Sequence, residues 1–155
     1  MARVFVGIGS NEGDRLATIS QAVQALASLA EVRVMQMALI METDPVGGPP
    51  QGRYLNTVVE LDTSLVPSAL LGQLKTIEAR LGRQPATQRW APRPIDLDIL
   101  LYDAHILQDP VLTIPHPRLH ERRFVLEPLA QLAPEMLHPV ARKTIKQLLA
   151  ECPLP

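Results

Sequence analysis

Two aspartates, Asp96 and Asp98, stand two residues apart in the run "RWAPRPIDLDILLYD". Ile95, Leu97, Ile99 and Leu101 alternate with them. The stretch 95–102 therefore reads as a β-strand, with both carboxylates on one face and the four aliphatic side chains on the other. Asp is depleted in strands, and like charges at this spacing repel. Two readings account for the pair. A polar strand face can carry Asp twice, or the carboxylates hold hard cations such as Mg²⁺, with water and phosphate oxygens completing the shell.

The neighbouring charges bear on that choice. Between Glu78 and Asp96 there is no acidic residue, but there are four arginines, Arg80, Arg83, Arg89 and Arg93. Arg80 falls in a helical stretch, and the other three sit in or beside a loop. Guanidinium forks beside a metal-binding carboxylate pair suit a polyphosphate, although loop arginines also serve solubility. A second basic segment, "IPHPRLHERRFVLEPL", places His116 between Pro115 and Pro117. Such a histidine either hydrogen-bonds a neighbouring carbonyl or donates to a phosphate oxygen, with Arg122 or Arg123 close by. The spacing of His116 and His120 is interrupted by proline, which disfavours a shared metal. The early "GIGSNEGD" looks like a phosphate-cradling loop, but it lacks both G-x-G-x-x-G and G-K-[ST]. A tight turn and a helix cap explain it equally well. Ser10 has no evident His–Asp partners and Cys152 lies in a proline-rich tail, so a protein nucleophile is not indicated.

Size and composition set the frame. A chain of 155 residues is read as one domain, 1–155, large enough to bury a core without staples. The net charge of −1 gives no support to nucleic-acid binding through bulk charge. One cysteine excludes an internal disulfide framework and suits a reducing compartment. No apolar stretch approaches the roughly 20 residues of a membrane span, and no secretory signal is read at the start. The expected compartment is the cytoplasm. Aromatics make up only 3% of the chain, so the placement of Tyr54, Trp90 and Phe124 is informative.

The elements that must position these residues follow from periodicity. "RVFVGI" reads as a first strand. Asp14 caps a helix through about Leu29, with Leu16, Ile19, Val23 and Leu26 at helical spacing. "EVRVMQMALIMET" reads as one long strand, "DPVGGPPQGR" as an exposed loop, and "YLNTVVELDT" as another strand. Pro67 suits a first helical turn, Leu70, Leu71, Leu74, Ile77 and Leu81 form one stripe, and Gly82 is a stop. After the aspartate strand, "RRFVLEPLAQLA" and "RKTIKQLLA" read as short helices. The order is strand, helix, strand, strand, helix, strand and a helical tail. Two split βαβ units give an α+β, ferredoxin-like βαββαβ sheet with helices on one face; the other face needs cover or is the working face.

Taken together, "GIGSNEGD", "ETDPVGGPPQGRYLNTVVEL", "LGRQPATQRWAPRPIDLDILLY" and "IPHPRLHERRFVLEPLAQLAPE" resemble the 6-hydroxymethyl-7,8-dihydropterin pyrophosphokinases of folate biosynthesis over nearly the whole chain. The resemblance implies the ferredoxin-like fold and transfer of pyrophosphate from Mg-ATP to the hydroxymethyl group of the reduced pterin, releasing AMP. It implies that Asp96 and Asp98 hold two Mg²⁺, that Arg83 and Arg93 grip phosphates, and that His116 and Arg122 grip them from the opposite side. Arg89 and Trp90 would belong to a loop closing over both substrates. Tyr54 and Phe124 would sandwich the pterin, Asn56 would bond its edge, and Thr43 and Val46 would supply backbone and shape. Glu78, Ile99 and Thr113 would surround adenine and ribose. Pro85 and Pro117 depart from some members, which carry Arg and Tyr there. A monomer working on these two small molecules is expected, without nucleic acid or membrane. Two rivals fit less well. A nucleotidyltransferase would place Gly-Ser close before D-x-D, whereas Gly9-Ser10 lies far upstream. A non-catalytic binding module needs neither two carboxylates nor an arginine loop.

Overall fold

The computed structural model describes residues 1–45, 48, 50–83 and 92–153. Strand β1 (Ala2–Ser10) leads through a turn at Gly13, φ 72°, into helix α1 (Arg15–Ala27), whose N-cap Asp14 accepts from the Ala17 amide. Strands β2 (Val32–Met37), β3 (Met41–Thr43) and β4 (Tyr54–Thr63) follow, then α2 (Pro67–Arg80) and β5 (Asp96–Tyr102). A short hairpin, β6 (Leu107–Gln108) and β7 (Thr113–Ile114), leads through a 3-10 turn at Leu119–Glu121 to α3 (Arg123–Leu132) and α4 (Ile145–Glu151). The main sheet runs β2-β4-β1-β5, with β3 also on β4, and every pairing is antiparallel. This is the strand order of the expected ferredoxin-like α+β fold.

Two cores line the two faces of the sheet. On one, Val4, Val6, Ile8, Val59 and Leu61 pack with Ile19 and Leu26 of α1 and with Leu70, Leu74 and Ile77 of α2. On the other, Phe5, Val58, Leu100 and Leu101 pack with Leu126 and Leu129 of α3 and Ile145 and Leu148 of α4. The tail helices are thus cover for the second face, so helices lie on both sides rather than one. A capping box between Thr144 and Gln147 starts α4.

The structure departs from the sequence reading at definite points. The strand expected over 31–43 is two strands. At the break, Ala38 donates to the Val58 carbonyl, its own carbonyl accepts from Thr57 Oγ1, and Leu39 turns out to Gln131. Leu16, expected in the buried stripe of α1, is exposed; Ala22 takes the inner position instead. The β6–β7 hairpin has elements too short to show a period.

The most consequential departure is in β5. Ile95, Leu97 and Ile99 face α1 and α2 as read, but Leu101 does not; it packs against α3 and α4. The cause is a bulge. β1 pairs Phe5 with Leu101 and Val6 with Ile99, leaving Leu100 as an extra residue. Leu100 lies over Gly7, where a Cβ would stand 3.4 Å from its Cδ2. After the bulge the alternation is reversed.

Leu101 is fully buried and Leu39 is 74% exposed. Leu101→Ala is expected to lower unfolding free energy by about 2–5 kcal/mol, and Leu39→Ala by less than about 0.5 kcal/mol. Urea denaturation of both variants checks this.

Candidate active site

The site is laid out across three strands. Gly9 pairs with Asn56 of β4 on one side and Asp96 of β5 on the other, and Gly7 pairs with Asp98. Both glycines lie within β1: Gly7 falls in the strand read over "RVFVGI", while Gly9 belongs to the strand rather than to the turn or loop read after it. At Gly9 a side chain would crowd its neighbours, since a Cβ would meet Asn56 Oδ1 at 3.0 Å and Tyr54 Cδ1 at 3.6 Å. The result is a smooth floor between the aspartates and the Tyr54–Asn56 side of β4. The phase of Val4, Val6 and Ile8 already placed both glycines on the face opposite the α1–α2 core, a signal the motif comparison overlooked.

Asp96 and Asp98 share that floor, as the strand alternation required. Asp96 Oδ1 accepts from Arg83 Nη1 at 2.7 Å and lies 3.3 Å from Arg93 Nη1. Arg83 Nη1 also donates to Glu78 Oε2 at 2.6 Å. That same oxygen accepts the Leu97 amide at 2.7 Å, so a buried carboxylate on α2 fixes both Arg83 and the outer edge of β5. Arg93 Nε is buried without a hydrogen-bond partner among the described residues, leaving a donor in reserve beside Asp96. Asp98 has a different environment. Burial, with Asp96 and Glu78 nearby, pushes its carboxyl up to about 7, against the opposing pull of Arg122 and Arg83.

Beside Asp98 opens a cleft of about 230 Å³ between α2 and the β6–β7 hairpin. Ile99, Thr113 and His116 line it, with Lys75 on the α2 wall. Its rim is shaped by Asp109, whose Oδ1 accepts the amides of Val111 and Leu112. His116 donates its amide to the Leu100 carbonyl, and its Nδ1 accepts the Arg118 amide at 3.2 Å. Nε2 therefore carries the ring proton. Burial, reinforced by Arg122, pulls the imidazole down to about 4, so at neutral pH it is an uncharged donor.

The other end of the floor is aromatic. Burial raises the phenol of Tyr54, which senses Arg93, Asp96, Arg83 and Arg122. Asn56 Nδ2 donates to Thr43 Oγ1 at 2.6 Å. Phe124 opens α3 and lies under the Arg122 guanidinium, 5.6 Å from ring centre to Cζ. Burial lowers the pKa of Arg122, with Asp98 opposing the shift. Val46, Arg89, Trp90 and Pro85 lie outside the described residues.

Sequence reading missed Asn11, which is buried where β1 ends. Its amide donates to the Arg93 carbonyl, and its Oδ1 accepts the Arg93 amide at 2.8 Å. Its Nδ2 donates to Gln51 Oε1 at 2.5 Å and to the Gly52 carbonyl at 3.3 Å. An Asn inside a turn-forming run gives no sign of such long-range partners.

The model of the 7,8-dihydro-6-hydroxymethylpterin-pyrophosphokinase (HPPK) family matches residues 5–134. The chain belongs to this family. Pyrophosphokinases similar to it include those of Aquifex aeolicus, 38% identical over 97% of this chain and 92% of the relative, and Pseudomonas aeruginosa, 42% identical over the same shares. The Bacillus subtilis relative is 45% identical over 85% of this chain and 78% of its own. The fold matches the Plasmodium falciparum HPPK-DHPS solved with pteroate, with a TM-score of 0.77 at 15% identity. That match covers 97% of this chain but only 42% of the longer protein, so the pyrophosphokinase fold is what the two share.

The raised Asp98 carboxyl gives the HPPK site a signature in stability. Folded Asp98 keeps its proton up to about pH 7, whereas in the unfolded chain it ionises near 3.8. The folded state therefore binds more protons between these values, and this group's contribution to stability falls as pH rises through them, levelling above 7. Asp98→Asn is expected to remove that slope and to be more stable than wild type at pH 7.5. Urea midpoints measured from pH 4.5 to 7.5 test it; equal slopes in both proteins refute it.

Proposed function

We propose that this chain performs the reaction of its family with a division of labour set by the floor of β5, β1 and β4. The β,γ-pyrophosphoryl unit of ATP passes to the hydroxymethyl oxygen of 6-hydroxymethyl-7,8-dihydropterin. The new bond joins that oxygen to the β-phosphorus, the α,β-bridging bond breaks, and AMP leaves while the hydroxyl proton departs. The product is the pterin pyrophosphate of folate biosynthesis. One observation carries this reading: a cleft opens on the Asp98 side of the glycine floor, and Tyr54, Asn56 and Thr43 stand on the other, with Asp96, Arg83 and Arg93 between.

In this arrangement the nucleoside lies in the cleft against Ile99 and Thr113, and its phosphates extend toward the aspartates. Glu78 acts through Arg83 and β5, since its carboxylate is already engaged by both. The His116 Nε2–H and Arg122 donate to phosphate oxygens from one side. Arg83 and Arg93, which rest on Asp96, turn to the phosphates from the other, and the unpartnered Arg93 Nε adds a donor there. Tyr54 and Phe124 hold the pterin ring, with Asn56 and Thr43 at its edge. Residue resemblance assigns Val46 to the pterin side and Arg89 and Trp90 to the covering loop. No group of three or more His, Cys, Asp or Glu able to hold a metal occurs among the described residues. The two aspartates do fit Mg²⁺: they offer hard oxygen donors on one face, and burial with Asp96 and Glu78 nearby makes the charged form of Asp98 costly, a cost that a bound cation would offset. Two Mg²⁺ shared between Asp96, Asp98 and the phosphates would neutralise charge along the chain and at the leaving AMP. The protein works as a monomer, a single domain over 1–155, in the cytoplasm.

Incubation with Mg-ATP and the hydroxymethyl dihydropterin is expected to release AMP in step with pterin pyrophosphate, read by anion-exchange chromatography. Formation of ADP in its place refutes the reaction. The two ends of the floor are also expected to separate in kinetics. Asp98→Ala should lower kcat by about a hundredfold or more with its circular dichroism unchanged, because it removes a carboxylate that would hold the cation beside the phosphates. Tyr54→Ala should act mainly on the KM for pterin. The opposite split reverses the two subsites.

A further inference from the structure

We infer that Arg123 is a positioning residue that holds the start of α3, and with it Arg122 and Phe124, by clamping that helix to the end of α4. This rests on the roles proposed above for Arg122 and Phe124, and adds one for a neighbour whose own guanidinium is turned to protein partners. The sequence leaves Arg122 and Arg123 as equivalent candidates for a phosphate, but the two side chains go to different places. Arg122 lies over the Phe124 ring and within the fields of Asp98 and Asp96. Arg123 is engaged elsewhere: Nε donates to Glu127 Oε1 at 2.6 Å and Nη1 to the Cys152 carbonyl at 3.2 Å. Glu127 stands one turn further along α3, and Cys152 is the buried residue that closes α4. One fork thus joins the first turn of α3 to its second turn and to the end of the neighbouring helix.

The clamp matters because the start of α3 lacks the usual restraints. Its N-cap, Arg122, makes no side-chain capping bond, and the first turn contains no acidic residue. Two arginines stand instead at the positive end of the helix, an arrangement that its dipole opposes. Glu127 offsets one of those charges, and the Cys152 carbonyl places the same cation at the end of α4, where positive charge is favoured. The other ends of the two helices are joined by main chain: Ile145 donates to the Met136 carbonyl and Lys146 to the Pro134 carbonyl. The helices therefore lie antiparallel, tied at one end by backbone and at the other by Arg123. Without that side chain, the start of α3 is left to the apolar packing of Val125 and Leu126 and to a 3.4 Å bond from the Arg122 amide to the Leu119 carbonyl. Apolar packing is non-directional, so it resists rotation of the first turn less than a fork of hydrogen bonds does. Rotation there moves the residues on both sides of position 123, taking the Arg122 guanidinium from the phosphates and the Phe124 ring from the pterin.

The test uses the full chain with Mg²⁺ and α,β-methylene-ATP, whose bridging carbon blocks transfer. Calorimetry gives the dissociation constant of this analogue, and that of the hydroxymethyl dihydropterin with the analogue saturating. Wild type, Arg123→Ala, Arg123→Lys and Glu127→Gln are compared, with melting temperature as the measure of stability. Arg123→Ala is expected to weaken both ligands by about tenfold, the low end for a charge-assisted hydrogen bond, and Arg123→Lys to restore both to within about threefold of wild type. Glu127→Gln separates positioning from direct contact, and it reports should Arg123→Ala fail to fold. Loosening the clamp in this way should weaken both ligands by about threefold. An Arg123 that grips phosphate itself would instead be released by the change and hold the analogue at least as tightly as in wild type, which overturns the clamp. Variants that melt earlier yet bind both ligands as wild type does make Arg123 a stabiliser of the fold alone, and also overturn it. A wild type that binds neither ligand overturns the substrate assignment, and the inference with it.

Discussion

A buried carboxylate on α2 governs the geometry of this molecule. Glu78 is 3% exposed, and a charge at that depth costs several kcal/mol unless it is paired and hydrogen-bonded. It meets that condition by accepting the Leu97 amide and the Arg83 guanidinium on one oxygen. β5 is an edge strand, so its outward amides would otherwise face the gap toward α2. The bond to Leu97 fixes the strand between its two aspartates, and the bond to Arg83 carries a cation back to Asp96. Helix, edge strand and the Arg83 guanidinium are thereby held by one group. Losing it would leave Arg83 with Asp96 alone and the strand edge unsatisfied.

The working face depends equally on what is absent from it. A regular strand in the centre of a sheet would present side chains at positions 7 and 9, and these would fill the space between the aspartates and Tyr54. Glycine is disfavoured inside strands, but here it leaves the backbone as the floor on which a polyphosphate and a flat ring can lie close together. The same face serves as a core lower down. Phe5, Val58 and Leu101 are roofed by α3 and α4, so the tail helices bound the groove as well as stabilising the fold.

Much of this was legible in the residues, and for identifiable reasons. The period of two placed Asp96 and Asp98 on a common face, because alternation holds up to Leu100. It failed at Leu101 because a bulge depends on the partner strand and leaves no local mark. The stripe Leu70, Leu74 and Ile77 gave α2, and Gly82, at φ 96°, ended it. Asn11 and Glu78 were opaque as positioning groups, since Asn11 bonds residues about 40 to 82 positions away and Glu78 bonds the Leu97 amide 19 positions away. Glu78 was picked out only through family resemblance, and its bonds to Leu97 and Arg83 give it a structural meaning that resemblance did not supply. The β6–β7 hairpin, which builds one wall of the cleft, has two-residue strands that no periodicity can reveal.

The bulge in β5 also determines where this strand can change length. Removing Leu97, Asp98 or Ile99 shifts the phase upstream and turns a carboxylate of the pair into the α1–α2 core. Removing Leu100 has the opposite effect: Ile99, Leu101 and Tyr102 already pair in unbroken succession with Val6, Phe5 and Val4. The strand would become regular and both aspartates would stay on the floor, at the cost of the packing over Gly7 and of the Leu100 carbonyl that accepts the His116 amide. A single position thus absorbs an indel in a strand that elsewhere admits none. Relatives that differ in length here are expected to differ at that residue.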